Sequence, residues 1–159
     1  MLATIREQLS LLFHNSVFIS CVFSWLSAQF IKTVIKLIAG KVHSIKELIE
    51  LLLWRTGGMP SSHSALVSTL CVSIGFRSGI NSDIFILAFC FMLVTIRDAL
   101  GVRRSSGIQA KIINEMGRAL DTEKIIKFRP IKEVQGHKPL EVLVGALLGA
   151  AIAVAFCVL

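Results

Sequence analysis

Residues 16–38 read SVFISCVFSWLSAQFIKTVIKLI, an apolar run broken only near its end by Gln29, Lys32 and Lys36. A bilayer hydrocarbon core of about 30 Å takes about 20 helical residues, so this stretch is long enough to cross one. Gln29 and Lys32 stand three apart and share one face of such a helix. Burying an ammonium at mid-bilayer costs roughly 2.5–3.5 kcal/mol on insertion scales. Lys32 therefore either snorkels to the interface or faces an anion, whereas snorkelling suffices for Lys36. The run is too long, and continues too far into polar residues, for a secretory leader with a short apolar core; it reads as a retained span.

Three further stretches repeat the pattern: about Ser61 to Phe76, about Asp83 to Ile96, and about Leu140 to Leu159, the first two being short for a crossing. A composition of 54% hydrophobic and 17% charged residues agrees with them, since soluble domains are about a quarter charged. The expected fold is all-α, a polytopic transmembrane bundle of about four spans in a single domain over residues 1–159. Two connecting segments carry helices of their own. Between Ala39 and Pro60, the residues Ile45, Leu48, Ile49, Leu52 and Leu53 recur at helical spacing beside Lys46, Glu47 and Glu50, the pattern of a short interfacial helix. Between Arg97 and Lys138, Ile108, Ile112, Ile113 and Met116 predict an amphipathic helix before the break at Arg129-Pro130.

With four crossings both of these segments fall on one side, and the termini and the Arg77–Ser82 turn fall on the other. Every Lys and Arg outside the first span lies on the first side except Arg6 and Arg77. The positive-inside rule makes that side cytoplasmic, so the expected location is the cytoplasmic membrane. The net charge of +7 needs no nucleic acid, because the basic residues flank membrane segments without an aromatic platform or a binding module; membrane lipids are the simpler partner. Cys21, Cys71, Cys90 and Cys157 sit inside apolar stretches without metal-ligand spacing and read as packing residues. No metal or other cofactor is called for. A homodimer is compatible with so small a bundle.

The chemistry concentrates where spans begin and end on the basic side. Gly57-Gly58-Met59-Pro60-Ser61-Ser62-His63-Ser64-Ala65 places a glycine turn, two hydroxyls and a histidine at a helix start, where unpaired N–H groups and the helix dipole favour an anion. Ser61 and Ser62 can cap the helix and also donate to phosphate oxygens. His63, behind that turn, suits proton transfer better than an isolated interfacial histidine would. In Gly136-His137-Lys138-Pro139-Leu140-Glu141 the histidine and the carboxylate are four apart and share a helical face, so Glu141 can fix the ring tautomer and stabilise its cation. Such an imidazole is a competent nucleophile toward phosphorus; the plainer reading is a surface histidine beside a helix-start acid. In Arg97-Asp98-Ala99-Leu100-Gly101-Val102-Arg103-Arg104 two guanidinium groups suit phosphate oxygens, with Asp98 able to orient one, although basic residues beside a span usually anchor topology. Gln109, Asn114 and Glu133 show no local pattern that separates a site from water.

These motifs resemble the type-2 phosphatidic acid phosphatase and vanadium haloperoxidase superfamily, in its divergent branch of small membrane proteins. Pro60-Ser61-Ser62-His63 is similar to the superfamily's Pro-Ser-Gly-His signature. His137 with Glu141 is similar to its closing His-x-x-x-Asp element, with glutamate for aspartate. Gln29 with Lys32, Asp98 through Arg104, Gln109, Asn114 and Gly136 through Val142 also resemble the divergent branch. The resemblance implies His137 as nucleophile and His63 as general acid. The superfamily's Lys-x6-Arg-Pro element has no match, and Ile131 stands where an arginine is expected six residues before the nucleophile. Lys32, Arg103 and Arg104 are the candidates to replace those cations. The expected function is a metal-independent membrane phosphatase acting on a lipid phosphate or diphosphate through a phosphohistidine. The rivals are a non-catalytic lipid-phosphate binder or transporter that keeps the anion pocket, and a membrane scaffold.

Overall fold

The computed structural model describes residues 2–40, 42, 44–53, 57–131, 133 and 136–158. Lys41, Arg55, Thr56 and Lys132, which belong to the basic side or the glycine turn, lie outside the described residues. Seven helices follow one another: α1 (Leu2–Phe13), α2 (Ser16–Ile38), α3 (Ile45–Leu53), α4 (Ser62–Ser78), α5 (Asp83–Leu100), α6 (Val102–Thr122) and α7 (Pro139–Val158). Local chemistry sets their starts. Asn15 Oδ1 accepts from the Val17 and Phe18 N–H groups at 2.9 and 3.3 Å and opens α2. Ser61 and Ser82 cap α4 and α5 in the same way, taking up otherwise orphaned donors. Gly79, at φ +83°, ends α4 in a conformation that a side chain disfavours. Pro139 occupies the first position of α7, where its missing N–H costs nothing.

The architecture is all-helical, with α4 at the centre, packed against α7, α2 and α5. α4 is rich in serine because it meets its neighbours through small side chains and hydrogen bonds instead of large apolar ones. A Cβ on Gly145 of α7 would stand 2.4 Å from the Ser61 carbonyl oxygen, and one on Gly149 would stand 2.1 Å from that of Ala65. The two helices thus approach backbone to backbone along a small-residue seam, as membrane helices do where lipid gives no hydrophobic drive to associate. Hydroxyls close the seam: Ser68 Oγ donates to Ala146 O at 2.8 Å, and Thr69 Oγ1 to Gly149 O at 2.9 Å. On the α2 side Ser20 and Ser73 bond across at 3.3 Å.

By length and composition three helical segments can cross a membrane: Ser16–Ile38, Asp83–Thr122 and Pro139–Val158. The expected fourth, α4, has 17 residues and is the helix that the others enclose. The outer faces of α2, α5 and α7 carry exposed Phe23, Phe30, Leu87, Phe91, Val94 and Leu147, the apolar surface that a bilayer covers. Cys21 and Cys71 are buried packing residues, while Cys90 and Cys157 lie on the outer surface.

Two helices differ from expectation. α1 precedes the first span with no counterpart in the sequence reading. The amphipathic helix expected through Ile108–Met116 is α6, which differs only in reaching back to within one residue of α5, across Gly101. The chain then returns along α6. Phe128 lies over Gly117, where a Cβ would come within 2.4 Å of its ring. Asn114, 2% exposed, grips the returning backbone at Ile131 with both ends of its amide, each bond 2.9 Å, and donates to Glu133 Oε1 as well.

Candidate active site

At the α2 C-terminal end of the bundle, three helix ends converge. Ser61 N–H donates to Glu141 O at 2.9 Å, tying the start of α4 to the first turn of α7. Because Gly145 lets the Ser61 backbone close in, the Pro60-Ser61-Ser62-His63 run and the His137–Glu141 pair are forced together.

His137 is 5% exposed, and its Nδ1 donates to Glu141 Oε2 at 3.0 Å. The same carboxylate oxygen accepts the Lys138 N–H at 3.1 Å, so Glu141 both caps α7 and holds the imidazole. With Nδ1 engaged, Nε2 is the nitrogen left for chemistry. Gly136 sets the ring's approach: a Cβ there would stand 2.1 Å from Arg104 Cα, so the chain just before His137 lies directly on the backbone that opens α6.

Lys32 on α2 is 1% exposed, and its Nζ donates to Gln29 Oε1 at 2.9 Å. Burial and the Lys36 charge act on it most strongly, and the Glu141 charge opposes them from across the site. Gly57 and Gly58, at φ +92° and +98°, carry the turn over it, and the Gly58 α-carbon faces the Lys32 side chain. Thus the lysine that would be costly in lipid is enclosed by protein and hydrogen-bonded to Gln29, and it does not snorkel.

His63 is half-buried in the first turn of α4, outside the three segments long enough to cross. The charges of Arg103, His137, Lys32 and Asp98 act on it. Lys32 of α2, Arg103 of α6 and His137 at the α7 entry are thus close enough to this imidazole for their charges to act on it. Arg103 is held by an ion pair from its Nε to Asp98 Oδ2, the orienting role expected for Asp98. Ser61 accepts from Ser64 through both N–H and hydroxyl, at 3.4 and 3.0 Å, and Ser62 is buried at the first position of α4.

The structure therefore brings together Gln29, Lys32, Ser61, Ser62, His63, Asp98, Arg103, His137 and Glu141. Arg104 contributes its backbone under Gly136, and its side chain is exposed. Ile131 does not approach the site through its side chain; its backbone is fixed by Asn114 and its side chain is 45% exposed. Sequence reasoning gave no structural role to Gly136 and Gly145, which let the chains bearing the histidines close in, to Gly149, which faces Ala65, or to Asn114, which fixes the backbone at Ile131. The four-residue spacing of the two α7 glycines was a usable signal for helix contact. No local signal existed for Asn114.

The Divergent PAP2 family matches residues 13–152, which include every candidate residue. The chain belongs to the Divergent PAP2 family. It is also similar to an uncharacterized membrane protein, YuiD, of Bacillus subtilis (strain 168), with 36% identity over 146 residues covering 85% of this chain and 89% of the relative. No solved structure matches it. Together with the three apolar helices, this membership makes it an integral membrane protein of the divergent PAP2 type.

Proposed function

We propose that this divergent PAP2 protein is a phosphatase that hydrolyses a lipid phosphate or diphosphate through a phosphohistidine intermediate. The observation that supports this best is the buried His137–Glu141 pair packed against the helix start that carries His63, with Lys32 and Arg103 alongside. Lys32, Arg103, Arg104, Ser61 and Ser62 bind the phosphoryl oxygens and offset the charge that develops in transfer. His137 Nε2 attacks phosphorus. As the N–P bond forms, the bond to the lipid oxygen breaks and His63 gives that oxygen its proton. Water, deprotonated by His63, then attacks the phosphohistidine, which releases inorganic phosphate and restores both imidazoles. Glu141 stabilises the imidazolium throughout.

In this reading α4 is the fourth crossing, the basic face lies on the cytoplasmic side of the cytoplasmic membrane, and the lipid tail stays in the bilayer while the head group enters the site. One observation favours a second reading, a non-catalytic lipid-phosphate binder or transporter: Ile131, an apolar and exposed residue, stands where the superfamily has a phosphate-clamping arginine.

Purified protein in detergent, without added metal, is to be given a panel of lipid phosphates and diphosphates, and phosphate release compared among the native chain, His137→Ala and His63→Ala. Release abolished in both variants, and an acid-labile phosphoprotein absent from His137→Ala, is the expected result. Substrate binding with no release from any lipid would replace the phosphatase with the binder or transporter.

A further inference from the structure

Beyond the candidate site, α6 presents a surface that no other described residue covers. Its buried residues Ala110, Asn114 and Gly117 fall on one face, against the returning segment. Ile108, Ile112, Ile113, Met116 and Leu120, all exposed, form an apolar arc broadly on the far side of the helix. Along one edge of that arc Lys111 and Arg118 stand seven residues apart, which is almost two full turns. Among the described residues α6 packs against no helix but α5.

We infer that α6 lies on the surface of the membrane, with its apolar arc immersed in anionic lipid and its basic edge among the head groups. Continuity argues for this occupant. α6 begins one residue after α5, which belongs to a segment able to cross the bilayer, so its first turn is already near the water interface. A helix of this length projecting into water would leave five large apolar side chains wet along its whole length. Charge argues for it as well. Residues 102–131 hold Arg103, Arg104, Lys111, Arg118, Lys124, Lys127 and Arg129 against Glu115, Asp121 and Glu123, an excess suited to an anionic leaflet. This inference does not depend on the phosphatase reading, because it concerns where the arm rests and not what the site turns over.

The test is a nitroxide label at Ile112→Cys, with Asp121→Cys as control, in the full chain with its native cysteines replaced by alanine. The protein is reconstituted into phosphatidylcholine vesicles with and without one quarter phosphatidylglycerol. In the anionic vesicles the label at position 112 should be open to oxygen and shielded from a soluble nickel chelate, with the reverse at position 121. Lys111→Glu with Arg118→Glu should move label 112 toward water. A label at 112 open to nickel in both lipids would overturn the inference, as would spin–spin broadening at 112, which would assign the arc to a second copy of the chain. Amide exchange over residues 105–120 of the unmodified chain gives an independent reading, and slowing on addition of phosphatidylglycerol is expected; unchanged exchange would count against docking.

Discussion

Replacing Gly149 with alanine tests the α4–α7 seam with a single methyl group. That methyl would stand 2.1 Å from the Ala65 carbonyl oxygen and 2.8 Å from its carbon. Both are backbone atoms of a central helix, so no side chain can swing aside, and α7 must draw back from α4 by about 1 Å to restore contact distance. Overpacking of this kind costs about 1–3 kcal/mol. The same withdrawal weakens the bonds from Thr69 to Gly149 O and from Ser68 to Ala146 O, each worth about 0.6 kcal/mol by membrane double-mutant cycles. The sum, about 2–4 kcal/mol, corresponds to a fall in Tm of roughly 4–16 °C at the scale for chains of this size. Thermal unfolding in detergent, followed by circular dichroism, reads it directly. Gly75→Ala is the control: its methyl would meet the Phe85 ring at 3.1 Å, a side chain that can yield, and alanine favours the helix. Equal Tm values for the two variants would refute the seam.

Glu141→Gln keeps an acceptor for the Lys138 N–H but removes the charge beside His137, so phosphate release should fall about 10- to 100-fold, the loss of about 1.5–3 kcal/mol for a charge-assisted bond, with Tm little changed. His63 donates as a cation in the proposed mechanism, so its active form is lost as pH rises, and the charges of Asp98 and Arg103 act on it. In kcat/KM profiles Asp98→Asn, which removes the negative one of these charges, should shift that limb to lower pH, and Arg103→Gln should shift it to higher pH. Asn114→Ala leaves the Ile131 N–H and C=O without their side-chain partner, which should speed amide exchange over residues 125–133 while α2, α4 and α7 keep their protection.

Apolar length was enough to reveal α2, α5 and α7, since membrane helices must satisfy their backbone within each segment. The His137–Glu141 pair was also legible, because four residues is a local helical spacing. α4 was harder to place. Ser68, Thr69 and Ser73 make it look half-polar, yet those hydroxyls are taken up by α2 and α7, so a helix of mixed character is the one the others enclose. Asn114 could not be assigned, because its partners lie 17 and 19 residues downstream and nothing local announces them. Arg103 was separable from a topology anchor only once Asp98 and His63 stood beside it.

Lys32 sits six residues short of Ile38, the end of α2. At about 1.5 Å per residue its Cα is anchored roughly 9 Å below that end. An ammonium held at that depth ties the protein to bilayers of a particular thickness. In a thinner sheet of lipid the pocket would ride up toward water and its charges would be screened; in a thicker one the hydrocarbon boundary would climb past Lys32, and the helices would have to tilt or the lipid thin locally to keep the pocket wetted. In vesicles of graded acyl-chain length, Tm is therefore expected to peak at one thickness for the native chain and to vary less for Lys32→Met.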